Sequence, residues 1–340
     1  MEMLTSRYEA VVKPLVPGVL IAGLIALAAQ FISDHYGAPS MLMALLFGIA
    51  LNFLSKEGPC EAGIAFCSKT VLRIGVALLG ARISFDMAAS LGWGAVGIVL
   101  GGVIATIAFG MVVARFFGHG PRFAFLSSGA VAICGASAAI AISAILPRDH
   151  RTEERLVFTV VGVTVLSTVA MIVYPILAGL MGMDDRLAGI FLGATIHDVA
   201  QVVGAGFSIS EQTGDIATVV KLLRVAMLAP VIFVAVLVIR RFHDAGEEDG
   251  ERPPLIPGFV LVFIALVAVN SLGFLPGPVI EAASEVARWA LLSAIAAVGV
   301  KTSLGEVIEV GGPAIALIVL QTLFIGAFAA VMLLYVLPVI

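Results

Sequence analysis

Charge is the scarcest thing in this sequence. Of 340 residues only 12% are Asp, Glu, Lys or Arg, while 61% are hydrophobic. Soluble domains carry about 25% charged and about 45–50% apolar residues. A chain with so little polar surface cannot cover itself in water, which excludes a soluble enzyme, a nucleic-acid binder and a disordered scaffold. Cysteine is scarce as well. Cys60, Cys67 and Cys134 are too few and too apolar in setting for a disulfide framework. His35, His119, His150, His197 and His243 are scattered, without zinc-ligand spacing among them or the cysteines. No metal and no cofactor are expected. Polar–apolar alternation is missing too, which argues against a membrane β-barrel. The first residues lack a short apolar core with a small-residue cleavage site, so the first long apolar stretch reads as a retained helix.

What the sequence does have is continuous apolar runs bounded by charge, Pro and Gly. About 20 such residues cross the hydrocarbon core as a helix. Eleven runs qualify, near 15–33, 40–54, 63–80, 91–114, 122–146, 154–180, 186–207, 215–240, 255–273, 282–300 and 312–338. The second is short for a full crossing. The expected fold is therefore an all-α polytopic membrane protein of about 10–11 transmembrane helices, one integral membrane domain over 1–340. Its one long polar loop, 240–254, falls between the eighth and ninth spans and reads as a solvated linker. With a cytoplasmic N-terminus, ten loop cations fall inside: Arg7, Lys13, Lys56, Arg115, Arg122, Arg186, Arg240, Arg241, Arg252 and Lys301. Five fall outside: Arg82, Arg148, Arg151, Arg155 and Arg288. That bias favours N-in, with the 148–155 cluster dissenting.

A weak internal repeat is present. ALLGARISFDMAASLGWGA from Ala77 aligns with AAVGVKTSLGEVIEVGGPA from Ala296, matching Gly80 with Gly299, Arg82 with Lys301, Ser84 with Ser303 and Gly92 with Gly311. If every span crosses, the 63–114 and 282–338 hairpins run in opposite directions, as in inverted-repeat transporters.

Two spans are interrupted by small and polar residues. In the first, Cys134, Gly135, Ala136, Ser137 and their neighbours form a run of small residues at mid-span. Glycine is a natural place for a helix to unwind, and Ser137 is placed to cap a second half-helix; a tight helix–helix seam fits the same residues. In the second, Thr195, His197, Asp198 and Gln201 stand together between glycines 193, 204 and 206. An ionised Asp at bilayer depth costs about 3 kcal/mol on insertion scales, so it faces a polar cavity or a partner. His197 titrates near neutral pH in its ordinary state, which makes the His197–Asp198 pair a candidate proton coupler. Half-helix N-termini meeting at the midplane would hold an anion with backbone N–H groups and dipole ends.

The sign of the intramembrane charge agrees with this. Lys69 and Arg73 lie four residues apart in the third span, and Lys221 and Arg224 three apart in the eighth. Each pair shares a helical face. Against these four bases stands the single acid Asp198. The interior is thus expected to be positive in a chain whose formal net charge is −4, which predicts an anionic substrate. Snorkelling of the lysines toward headgroups is the competing reading. Gln30, Asn52, Asn270 and Gln321 are read as interhelical hydrogen bonds.

At ICGASAA (133–139), the following ILP (145–147) and TIHDVAQVVGAG (195–206), the sequence resembles the sulfate exporter family of bacterial inner-membrane proteins, long catalogued as conserved hypothetical proteins. ALLGARIS (77–84) and KLLRVAML (221–228) extend the likeness over nearly the whole chain. The resemblance implies a secondary transporter. A more distant likeness is to the sodium/bile-acid symporter and sodium–proton antiporter architecture, where two discontinuous helices cross in a core domain that moves against a panel. Two departures count against sodium coupling and simple symmetric halves. Only Asp198 and Gln201 supply polar ligands here, and the second broken segment precedes the 282–338 hairpin.

The expected activity is export or exchange of a small inorganic or sulfonated anion, with sulfate the family-level guess, a proton as coupling ion, and no enzymatic activity. The expected substrate site comprises Cys134, Gly135, Ala136, Ser137, Thr195, His197, Asp198, Gln201, Arg73 and Arg224, with Lys69 and Lys221 adding charge. A passive anion channel and an intramembrane enzyme using His197–Asp198 are the rivals. A homodimer is left open.

Overall fold

The computed structural model describes residues 12–36, 38, 40–55, 58–84, 91–147, 151–242, 258–302 and 312–336. Among them there is helix and turn but no strand. In chain order the helices are α1 (Val16–Tyr36), α2 (Ser40–Ala50), α3 (Glu61–Leu79), α4 (Gly92–Val113), α5 (Pro121–Ala132), α6 (Ala136–Ile145), α7 (Thr152–Leu180), α8 (Asp185–Thr195), α9 (Val199–Ile209), α10 (Glu211–Ala226), α11 (Leu228–Phe242), α12 (Gly258–Ser271), α13 (Gly277–Lys301) and α14 (Gly312–Val331). Seven helical stretches are long and apolar enough to cross a bilayer, with α10 and α11 counted as one. The protein is thus an all-α polytopic membrane protein. Most of the polar loop 240–254 lies outside the described residues. So do Ser303 and Gly311 of the repeat, and Arg7, Lys56, Arg148 and Arg252 of the loop cations.

Every apolar run of the sequence corresponds to a helix or a pair of half-helices. The fifth and seventh runs break into half-helices, α5/α6 and α8/α9, and the eighth is divided at Met227 into α10 and α11. Local chemistry explains the ends. α5 starts with Pro121 at its first position, where a missing N–H costs nothing. α8 starts at Asp184, whose carboxylate accepts the Leu187 N–H at 2.8 Å. Gly182, at φ +68°, ends the turn after α7.

By internal contacts the chain forms two compact units. One comprises Met1–Ala89, Val203–Asp215 and Phe259–Leu304; the other comprises Ser90–Val202, Ile216–Gly258 and Gly305–Ile340. In the first unit, α2 and α13 approach so closely that a Cβ on Gly48 or Gly299 would meet the Ala296 or Leu45 carbonyl. Small residues permit that approach in a bilayer, where packing rather than hydrophobicity drives association. Asn52 donates to the Val300 carbonyl at 2.8 Å and Asn270 to the Ile83 carbonyl at 3.2 Å. In the second unit Gln321 donates to Ser127 Oγ at 3.1 Å, and Phe109 of α4 stacks on Phe324 of α14 at 4.1 Å.

The first broken segment folds back on itself. Gly129 of α5 packs against Ile142 of α6 so tightly that a Cβ would strike the Ile142 side chain. Residues thirteen apart in an interrupted but straight helix would stand about 20 Å apart. A shared cleft is lined by Arg122 from the start of α5 and by Leu146 and Pro147 beyond the end of α6. The segment is therefore a helical hairpin with its tip at 133–135, and this corrects the expectation of a discontinuous helix that crosses another. Its arms, 12 and 10 residues long, reach about 15–18 Å, half the hydrocarbon thickness.

Candidate functional site

The site is built in the second unit, from the hairpin tip, the α8/α9 break and one face of α10. A half-helix inside a membrane leaves its last carbonyls without intrahelical donors, and no water is present to take them. α5 ends at Ile133 with φ −109° and ψ −85°, and Gly135 follows at φ +60°, a conformation open to glycine. Gly135 N–H returns to the Ala130 carbonyl at 2.9 Å. That leaves Val131, Ala132 and Ile133 to be satisfied from elsewhere. At the other break, Ile196 N–H takes the Leu192 carbonyl at 3.1 Å, and the carbonyls beyond it, those of Gly193 and Ile196 among them, are left without an intrahelical donor.

Lys221 and Arg224 meet this need. Both are 0% exposed. Lys221 Nζ donates to the Ile133 carbonyl at 2.8 Å and the Ile196 carbonyl at 2.9 Å. Arg224 Nε donates to Ala132 at 3.0 Å, Nη1 to Gly193 at 3.1 Å and Ile196 at 3.0 Å, and Nη2 to Val131 at 2.9 Å and Ala132 at 2.8 Å. All five guanidinium N–H groups are thereby engaged. α10 reaches the break because Gly193 lies directly on it; a Cβ there would meet the Ala217 carbonyl and Val220. Two cations at two negative helix ends are favourably placed, and each bond to a charged donor contributes about 1.5–3 kcal/mol. Seven such bonds offset the several kcal/mol of desolvation per ion.

Asp198 takes the opposite pole. Its backbone N–H donates to Ser167 Oγ at 3.0 Å, and its half-buried carboxylate accepts the Ala136 N–H, the first of α6, at 3.4 Å. Thr164 hydrogen-bonds the same carboxylate. A Cβ on Gly135 would fall on Asp198 Oδ1. Gly135→Ala combines that clash with a positive φ, strain of about 1–3 kcal/mol before any clash. It is expected to lower Tm and to displace Asp198; purified variant and parent are compared by thermal unfolding on a size-exclusion column.

His197 is fully buried and turns away from Asp198. Its Nδ1 lies 3.2 Å from the Val131 carbonyl and its Nε2 2.9 Å from Thr322 Oγ1 on α14. The Thr322 hydroxyl has one proton and also lies 2.8 Å from the Ile318 carbonyl, so a neutral ring with its proton on Nδ1 satisfies both contacts only when that hydroxyl turns from Ile318 to Nε2. No hydrogen bond joins His197 to Asp198. The ring is a strut between the hairpin tip and α14, and the acid–base pair expected from adjacency in sequence is not formed.

The remaining expected residues divide. Thr195 is buried, its hydroxyl donating to the Phe191 carbonyl at 2.6 Å. Cys134 is buried at the tip as a free thiol. Gln201 donates to Thr168 Oγ1 at 3.4 Å, while its buried Oε1 has no partner. Ala136 is half-buried and Ser137 exposed; α6 begins after Gly135 with no side-chain cap, so Ser137 does not play the capping role expected of it. Lys69 and Arg73 are not buried as expected. They belong to the first unit and are exposed. α3 buries Gly63, Ile64, Cys67, Gly75, Val76 and Leu79, and the two cations sit on the other face. The expected four buried bases are corrected to two. Thr164, Ser167 and Thr168 of α7 and Thr322 of α14 were missed. Three α7 hydroxyls spaced three and four apart in a long apolar helix were the available signal; a lone Thr322 gave none. Among the described residues no three His, Cys, Asp or Glu side chains gather as metal ligands.

Residues 15–320 match the family described as Conserved hypothetical protein 698. The chain belongs to this family. Similar relatives include the UPF0324 membrane protein TauZ of Paracoccus pantotrophus, 59% identical over 92% of this chain and 93% of its own length. Another, the UPF0324 membrane protein RB0971 of Rhizobium meliloti, is 57% identical over 92% and 90%. A third, from Chlorobaculum tepidum, is 52% identical over 91% and 87%. The coverage is nearly complete on both sides, so the family relation spans both compact units and the membrane assignment rests on composition, helices and relatives together.

Proposed function

We propose that this family member is a secondary active transporter that moves a small anion, of the sulfate, sulfur-oxyanion or sulfonate class, across the bacterial inner membrane by alternating access. The observation that carries the reading is the junction of the two broken segments. There two fully buried cations, Lys221 and Arg224, face the single carboxylate of Asp198, and two half-helices, α6 and α9, begin. Lys221 and Arg224 make the junction positive without being ligands themselves, because their donors are taken up by carbonyls. The anion is assigned to the N–H groups at the starts of α6 and α9, near Ala136, Ser137 and Val199, where it competes with Asp198 for the Ala136 N–H. Coupling falls to Asp198 alone, since His197 is held as a strut.

A cytoplasmic N-terminus is the orientation that the loop cations favour, ten against five. The repeat gains support as well: α3 and α13 fall in one unit, α4 and α14 in the other.

A passive channel shares the positive interior, and an intramembrane enzyme would need His197 and Asp198 to act on one another. Flux of labelled anion into liposomes separates the readings. The transporter reading expects saturable flux that responds to a pH gradient. Flux that rises linearly with concentration indicates a channel, and absence of flux for every anion tested rejects transport.

A further inference from the structure

The Ile133 and Ile196 carbonyls come from different elements, yet both point at one nitrogen, at 2.8 and 2.9 Å. Each belongs to a half-helix end, where the dipole adds partial negative charge. Unwound backbone carbonyls and half-helix C-termini are the groups that coordinate monovalent cations in membrane transporters. Here the position is filled by the chain. An ammonium suits it because it is a compact point charge with three donors, unlike the planar fork of Arg224, which spans four carbonyls around it. Lys221 lies eleven residues into α10, about 15 Å along its axis, so its side chain arrives at mid-membrane depth. The junction therefore contains a cation-binding arrangement and, on a separate side chain, its occupant.

We propose that the Ile133 and Ile196 carbonyls form a monovalent-cation site that is permanently occupied by the Lys221 ammonium, so the two broken segments hold together without sodium or any other bound ion. The tethered ion does what a diffusible one would do, with no binding or release step. Sodium then has no vacancy at this junction. The inference concerns the carbonyl poles of the half-helices and does not depend on which solute binds at their N–H poles.

Truncation of the lysine separates a cation site from a mere packing position. Lys221→Ala removes three methylenes and the ammonium, the atoms that n-propylammonium returns. Lys221→Gln keeps two N–H donors but no charge. Wild type and both variants are purified in lipid nanodiscs. Their thermal unfolding is compared in choline, sodium, potassium and n-propylammonium chloride at equal ionic strength. The wild type is expected to unfold at one temperature in all four salts. Lys221→Ala should be destabilised in choline and recover at least half of its lost Tm in n-propylammonium, with a smaller recovery in sodium. Lys221→Gln should stay destabilised in every salt. If Lys221→Ala yields no folded protein in choline, a monodisperse peak appearing only with n-propylammonium is the same recovery. Absence of recovery by any cation overturns the proposal, as does a Lys221→Gln variant as stable as the wild type or a wild type that needs sodium. None of these results bears on anion binding, which is read separately.

Discussion

Arg224→Leu is expected to yield little or no folded protein. The substitution keeps an apolar side chain of moderate size in a fully buried position, so loss of packing is not the main term. What it removes is five hydrogen bonds to four carbonyls. Ile196 keeps Lys221 and Val131 keeps His197, but Ala132 and Gly193 lose every side-chain partner they have. An orphaned buried polar group costs roughly 1–3 kcal/mol, so these two alone cost about 2–6 kcal/mol, comparable to a large share of the about 5–15 kcal/mol that holds a typical protein folded. Arg224→Lys is expected to rescue only in part. A lysine restores the charge, but it is one point donor where a fork spans two helix ends. Extraction yield and monodispersity on a size-exclusion column read both variants. An Arg224→Leu protein that is monodisperse and unfolds near the wild-type temperature would show that the helix ends do not need the guanidinium.

The second large effect is expected at Asp198. Its carboxylate accepts the first N–H of α6, the position assigned to a substrate anion, so the two negative groups compete. Facing it are Thr164 and Ser167 of α7, Lys221 and Arg224 of α10, and Cys134 at the tip, while His197 beside it is turned to Val131 and Thr322. Anion binding should therefore tighten as pH falls and the carboxyl takes a proton. Asp198→Asn keeps a carbonyl oxygen for the Ala136 N–H and removes the charge. It is expected to bind anion about tenfold more tightly near neutral pH, about 1.4 kcal/mol, and to lose the pH dependence. Titration of both proteins at two pH values reads the result. Parallel pH dependence in both would place the coupling group elsewhere.

How much of this was legible in the sequence differs from residue to residue. The two breaks were visible because glycine and small hydroxyl residues at 134–137 and 193–206 interrupt otherwise continuous apolar runs. That α5/α6 turns back was not visible, because 25 apolar residues read alike whether they cross or return at the middle. Gly129 was the one local hint, a missing side chain where Ile142 must lie. Lys221 and Arg224 were correctly read as buried, but their task was not. Sequence shows the sign of a charge, whereas the unfilled carbonyls that claim it come from segments 25 to 93 residues away. Lys69 and Arg73 have the same kind of spacing and proved exposed, since shared facing does not say which way the face points. His197 and Asp198 are adjacent, yet consecutive residues in an unwound segment project apart, and the pair dissolved.

The central claim is that an anion binds at the N–H poles of this junction. It is tested most directly by thermal unfolding of the purified wild type with sulfate, sulfite, thiosulfate, taurine, sulfoacetate, phosphate or chloride added at two pH values. The expected result is stabilisation by at least one of these solutes, larger at the lower pH and less sensitive to pH in Asp198→Asn. An unchanged unfolding temperature with every one of them would contradict the anion site itself, and with it the transport reading built on it.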